Sequence, residues 1–441
     1  MILIIALILS LCFLLFSIIK FDLHPFFALF LTAIIFGVTS GMDLSLIIQS
    51  INEGFGGLLG NVGPIIIFGV LIGILLEKSG GALVIAMKIL KTVGEKSVHL
   101  AMMVSGYILS IPVFGDSVLL IMDPLNKVLS NKAKVSYAGT TAALATGLTA
   151  SHVMVPPTPG PIAAAGILDA NLGDVMLWGL VISILSLTTC YIFAKTIASR
   201  VKLKNDLMVK EVEGKKPTFT KSMMAVVVPI LLITTKSISE FPTEPFGSNP
   251  QLLNIIGFLG TPAIALAIGV FIALTLPSKW DKKIISSAGW FGDAIKVAAP
   301  ILLITGAGGI FGKTLQNSGM SELISSEFNF VGLQLMLPFL LAAFLKTSQG
   351  SSTVALITTA SIVAPLMPVL GLDAGIMKTM TVLAIGAGST VTSHVNDSFF
   401  WIMTQLTGMT VKQGYKVQSL GTATFGITAI ILINLITWIV G

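Results

Sequence analysis

Two histidines share one local word. His152 and His394 each stand in Ser-His-Val, and each is followed by sequence that cannot continue a helix: VMVPPTPGP over 153–161 and VNDS over 395–398. Proline lacks the N–H a helix needs and clashes with the preceding turn, whereas Asn, Asp and Ser side chains bond to freed backbone groups. A half-helix beginning after Pro161 would present unpaired N–H groups at the positive end of its dipole, which is an anion site. Two carboxylates, Asp116 and Asp397, and one cation, Lys346, lie in otherwise apolar stretches. An ionisable group in such surroundings is costly and marks function by default. Asp116 and Asp397 are candidates for taking up and releasing a proton, and Lys346 for complementing a ligand carboxylate. Kinks at prolines, helix capping and hydroxyls bonded back to their own backbone are the blander readings of the same residues.

The elements that must hold these groups are membrane helices. The chain has 441 residues, 54% hydrophobic and 10% charged, with a mean hydropathy of +0.96; soluble domains carry about a quarter charged residues. The net charge of +6 falls in short lysine clusters between apolar runs, which reads as cytoplasmic loop charge and not as a nucleic-acid face. Cys12 and Cys190 lie in apolar stretches and form neither a disulfide framework nor a metal spacing. The first twenty residues lack a charged leading region and a small-residue cleavage site, so a retained first helix is expected and not a signal peptide.

Apolar runs at roughly 2–19, 25–41, 58–76, 175–198, 222–239, 252–276 and 417–440 reach the length of about 20 residues that crosses a bilayer. The lysine-rich stretch 200–221 is expected in the cytoplasm as a linker between a first repeat, 1–199, and a second, 222–441. Alternation outward from it puts both termini outside. Segment 97–126 lies between Lys96 on one side and Lys127, Lys132 and Lys134 on the other, and is too long for one crossing and too short for two. It is expected to be a re-entrant hairpin entering from the cytoplasm, with its tip over Ile111–Ser117. Segment 330–370, with Glu327 and Asp373 at its flanks, is the matching hairpin from outside, its tip over Leu345–Thr353.

Three segment pairs recur in the same order. Gly73–Gly80 matches Gly312–Gly319, Asp116–Ile121 matches Ser352–Ile357, and Ala145–Val153 matches Ala387–Val395, at offsets of 239, 236 and 242. With five spans and one hairpin in each half, the copies must point in opposite directions. The expectation is an all-α polytopic membrane protein of two inverted repeats, about ten transmembrane helices plus two re-entrant hairpins, with broken helices at the midplane, where transporters of this plan bind substrate.

The motifs GDS at Gly115–Ser117, SHVMVPPTPGPIAA at Ser151–Ala164, QGSSTVA at Gln349–Ala355 and SHVNDSFFW at Ser393–Trp401, in that order along essentially the whole chain, resemble the gluconate permease family of GntP type. The resemblance implies a secondary transporter of the bacterial inner membrane, typically a proton symporter for gluconate or related sugar acids, with an elevator-like fold of the ion transporter superfamily. Members also carry other small hydroxylated or amino monocarboxylates, including D-serine. Elevator-type relatives are commonly dimeric, so a homodimer is a further expectation. Many gluconate transporters read VPPHPGP where this chain reads VPPTPGP, so Thr158 replaces a histidine beside the expected anion site, and a shorter hydroxy acid joins gluconate as a candidate.

The resulting expectation is a proton-coupled importer of a small sugar-acid or hydroxy-acid anion. Its carboxylate would be held by the broken helix at Pro161, by the tips at Gly115, Ser117 and Gly350, and by Lys346, with His152, Thr158 and His394 at the breaks. Gln349, Ser351, Thr353, Asn396 and Ser398 would meet the hydroxyls, and Asp116 and Asp397 would carry the proton. Neither a cofactor nor a metal is expected. Sodium coupling is the alternative within the class, because hairpin-tip hydroxyls and carbonyls also suit Na⁺. A membrane-embedded enzyme using His152, His394 and Asp397 lacks a metal-ligand spacing such as HExxH, and catalysis has no need of the repeat. A passive channel is the remaining alternative.

Overall fold

The structure, a computed structural model, describes residues 2–21, 23–93, 97–203, 216–240, 245–247, 249–319, 334–395 and 397–440. Much of the lysine-rich linker, Glu327 and the start of the expected second hairpin lie outside the described residues. No strand occurs among the described residues. Among the described residues, five helices are long and apolar enough to cross a membrane, and the bent pair Pro250–Leu259 and Pro262–Ala273 makes a sixth if it is one span. The run expected as one span at 252–276 is therefore two helices meeting at 63°. Pro262 cannot donate back into the first helix, and its fixed φ starts the second one.

The two longest helices, Leu44–Lys78 and Trp290–Asn317, form a central antiparallel pair. Lys78 pairs with Asp293 at one end, and Lys313 reaches Glu53 at 3.3 Å at the other. Between these ends Gly54 and Gly309 let the backbones touch, since a Cβ on either would collide with the carbonyl oxygen of the other. Hydrophobic burial gives membrane helices little reason to associate with one another, so close approach through small residues supplies the packing.

Each half then adds a hairpin, a broken helix and a long helix. In the first half these are Val98–Ser110 with Gly115–Lys132, Tyr137–Met154 with Pro159–Ile167, and Leu172–Thr196. In the second they are Met336–Gln349 with Ser352–Val363, Ile376–Gly388 with Ser398–Thr407, and Leu420–Val440. The tips fall within the stretches expected from the sequence. Gly350 ends its helix at φ 84°, a left-handed conformation that glycine adopts without strain. Tyr137–Met154, built largely of Ala, Gly and Thr, is buried on nearly every side, as a helix without a polar face must be.

The halves are related by inversion. Thr189 and Thr428, 239 residues apart, share a hydroxyl hydrogen bond of 2.9 Å, and a Cβ at Gly63 would lie 3.7 Å from Leu302, which stands at the same offset. Equivalent residues meet in this way at a two-fold axis. Gly421 lies against Phe193 while Thr428 meets Thr189, so numbers rise along one helix as they fall along its mate. Both equivalent pairs are thus antiparallel, and the axis between them lies across the helices, in the plane of the membrane.

Candidate functional site

The tips and the breaks converge on a cavity of about 320 Å³, at the small end of the roughly 300–1,000 Å³ of small-molecule sites. The first tip contributes Phe114, Gly115 and Asp116, and the first broken helix Leu148, Thr149 and His152. The second tip supplies Lys346 and Gln349–Thr353, and the second break supplies Thr390, Ser393 and Asp397–Phe399. Gln418 and Thr422 close it from the last helix and the turn before it.

Three helices begin at this cavity: Gly115–Lys132, Ser352–Val363 and Ser398–Thr407. The first N–H groups of any helix have no partner within it, and each N-terminus carries a partial positive charge. Ser351 caps the second of them, its Oγ accepting from the N–H of Val354 at 3.3 Å. Asp397 caps the third, its Oδ1 accepting from the N–H of Phe399 at 3.0 Å. Three such ends aimed at one space favour an anion there.

Charged groups meet in the same space. Lys346 Nζ donates to Asp397 Oδ2 at 2.7 Å and also to the carbonyl of Gly350. The same carboxylate oxygen accepts from Ser393 Oγ at 2.5 Å. Asp116 interacts electrostatically with both members of the ion pair and has no hydrogen-bonded cation of its own among the described residues. His152 Nε2 lies 3.4 Å from Thr353 Oγ1, which brings the first break to the second tip. Acceptors, donors, a carboxylate with no ion pair among the described residues and three helix N-termini can hold a small hydroxylated anion. Among the described residues, no group of His, Cys, Asp and Glu could bind a metal ion.

Residues 1–439 match the GntP family permease. The chain belongs to the GntP permease family. It is 31% identical to the gluconate permease of Pseudomonas aeruginosa, over 95% of this chain and 94% of that one. It is 34% identical to the Gnt-II system L-idonate transporter of Escherichia coli, with 89% of each covered. Its fold is similar to that of the YdaH transporter of Alcanivorax borkumensis, with a TM-score of 0.68 at 14% identity, covering 95% of this chain and 99% of that one. As a GntP permease the chain is a multi-pass membrane transporter and not an enzyme.

The permease brings together much of the site expected from its sequence and leaves part of it outside. Gly115, Asp116, His152, Lys346, Gln349, Gly350, Ser351, Thr353, Asp397 and Ser398 line the cavity. Ser117 and Pro161 do not, and Asn396 lies outside the described residues. His394, the repeat mate of His152, also lies off the cavity, with Nε2 2.9 Å from the carbonyl of Thr347. Thr158 is buried, and its hydroxyl donates to the carbonyl of Val155 at 2.7 Å, so it faces its own turn and not the cavity.

The anion site expected after Pro161 is corrected as well. The half-helix starts at Pro159, and with prolines at 159 and 161 its first turn has few N–H groups left to offer. The N–H of Ile162 is already bonded to the carbonyl of Thr158 at 3.3 Å. A separate space of about 10 Å³ beside Pro157, Thr158 and Pro159 holds no more than a water molecule.

Several lining residues were not among those expected from the sequence. Ser393 stands in the repeated Ser-His-Val word, and Thr149 lies one helical turn before His152, so both carried a usable signal. Gln418 and Thr422 were hidden inside an apolar run assigned as a span.

Proposed function

We propose that this permease imports a small sugar-acid or hydroxy-acid anion by proton symport. The relatives named for gluconate and L-idonate support the substrate class, and the single observation that carries the coupling is the charge inventory of the cavity. Asp116 and Asp397 share one nearby lysine, Lys346, which is paired with Asp397 at 2.7 Å, so among the described lining residues carboxylates outnumber cations by one. Two like charges about 4 Å apart repel by about 4 kcal/mol at the effective dielectric near protein surfaces, close to a thousandfold in affinity. A proton on Asp116 removes that repulsion, so anion and proton enter together. The N-termini of Gly115–Lys132 and Ser352–Val363 attract the carboxylate, and Ser351, Thr353 and Ser398 meet the hydroxyls.

The protein resides in the bacterial inner membrane with both termini outside, the 200–221 linker in the cytoplasm, and the repeats over 1–199 and 222–441. Uptake of labelled gluconate and of three- and four-carbon aldonates into proteoliposomes, under separately imposed proton and sodium gradients, tests it. Accumulation driven by the proton gradient alone is expected. Accumulation driven by sodium alone, or by neither gradient, would overturn the coupling.

A further inference from the structure

The cavity holds side-chain amides whose hydrogen-bonding capacity is unmet. Nε2 and Oε1 of Gln349 and Oε1 of Gln418 are buried and have no partner among the described residues, although both side chains line the cavity. Gln418 is only 1% exposed. Leaving a buried polar atom unpaired costs about 1–3 kcal/mol, a cost that a bound ligand with the complementary group would relieve.

The backbone that carries Gln418 is unusual. Tyr415–Ser419 is a π-helical turn leading into Leu420–Val440, and π turns are rare and recur at functional sites. The turn is also fastened to the second break. Ser419 Oγ donates to the carbonyl of Ser393, and the N–H of Ser393 donates to Thr422 Oγ1 at 3.4 Å. Ser393 in turn holds Asp397. Gln418 is therefore presented by backbone tied to the unwound segment, in the cavity that the hairpin tip bearing Gln349 also lines.

The chemistry of Oε1 restricts its partner. An amide oxygen accepts hydrogen bonds and cannot pair with a carboxylate, so the ligand group that meets it must donate. We infer that Gln418 is a specificity-determining residue whose Oε1 accepts a hydrogen bond from a hydroxyl on the carbon chain of the transported acid, the amide of Gln349 taking a second hydroxyl. The inference rests on the sugar-acid reading above and adds to it how the hydroxyls are read. A site built around a substrate hydroxyl discriminates strongly against the analogue that lacks it, because its own buried groups are then left unpaired.

Binding of D-gluconate, its 2-, 3- and 4-deoxy analogues and D-serine to the purified full-length chain provides the test, with the unaltered protein, Gln418→Met and Gln349→Met compared. At least one deoxy acid should bind the unaltered protein tenfold or more weakly than gluconate. Gln418→Met should weaken gluconate about tenfold and leave that deoxy acid unchanged, so that the two become nearly equal. If Gln418→Met weakens both alike, or leaves the preference intact, the inference is overturned while the sugar-acid reading stands. Where a variant does not accumulate, the unaltered protein decides, since equal binding of gluconate and all its deoxy analogues overturns the inference. If the chain binds D-serine and no sugar acid, both the function and this inference fall.

Discussion

Lys346 and Asp397 meet at 2.7 Å inside the protein, one at the end of a hairpin arm and the other at the start of a half-helix. The pair joins the second tip to the second break and shapes one wall of the cavity. Removing one member of a buried ion pair typically costs about 3–5 kcal/mol, because the other is left charged and unpaired. Lys346→Met and Asp397→Asn should each lower thermal stability strongly in detergent. The double variant should be less destabilised than the sum of the two, yet fail to transport. Strictly additive thermal shifts would contradict the coupling of the two residues.

The repeat predicts equal histidines, whereas the structure places one in the cavity and the other off it. His152→Ala should reduce uptake at least tenfold, whereas His394→Ala, which loses a contact to the Thr347 carbonyl, should stay within about threefold. Initial uptake rates at matched protein levels check this. Equal losses from the two variants would contradict the asymmetry.

Thr158 is bonded to its own turn, so its hydroxyl is spent on local structure. Thr158→Val should cost about 1 kcal/mol of stability and leave the preference between four- and six-carbon acids unaltered. Competition for uptake measures the preference, and a shift toward either acid would return Thr158 to the binding site.

The breaks were legible because prolines and the Asn-Asp-Ser run forbid continuous helix, and the first hairpin because lysines flank a segment of the wrong length. Inversion followed from counting spans, and it appears physically in the Thr189–Thr428 contact. The direction of side chains was not legible. A threonine after two prolines can face a ligand or fold back on a carbonyl, and spacing does not distinguish the two. The His152–His394 pair misled for a related reason, since duplicated sequence carries no sign that one copy is recruited to a one-sided cavity. Gln418 escaped because a π turn leaves no mark in a hydropathy pattern, and a lone glutamine in an apolar span reads as tolerated.

In the proposed mechanism Asp116 is the carboxylate that must be neutralised before an anion enters. The most direct test is Asp116→Asn in proteoliposomes, with exchange of labelled substrate across the membrane and accumulation under an imposed proton gradient measured on the same preparation. Exchange is expected to persist, because asparagine keeps position 116 permanently uncharged, while gradient-driven accumulation is lost. An Asp116→Asn variant that still accumulates substrate to the level of the unaltered protein would contradict the proposed mechanism.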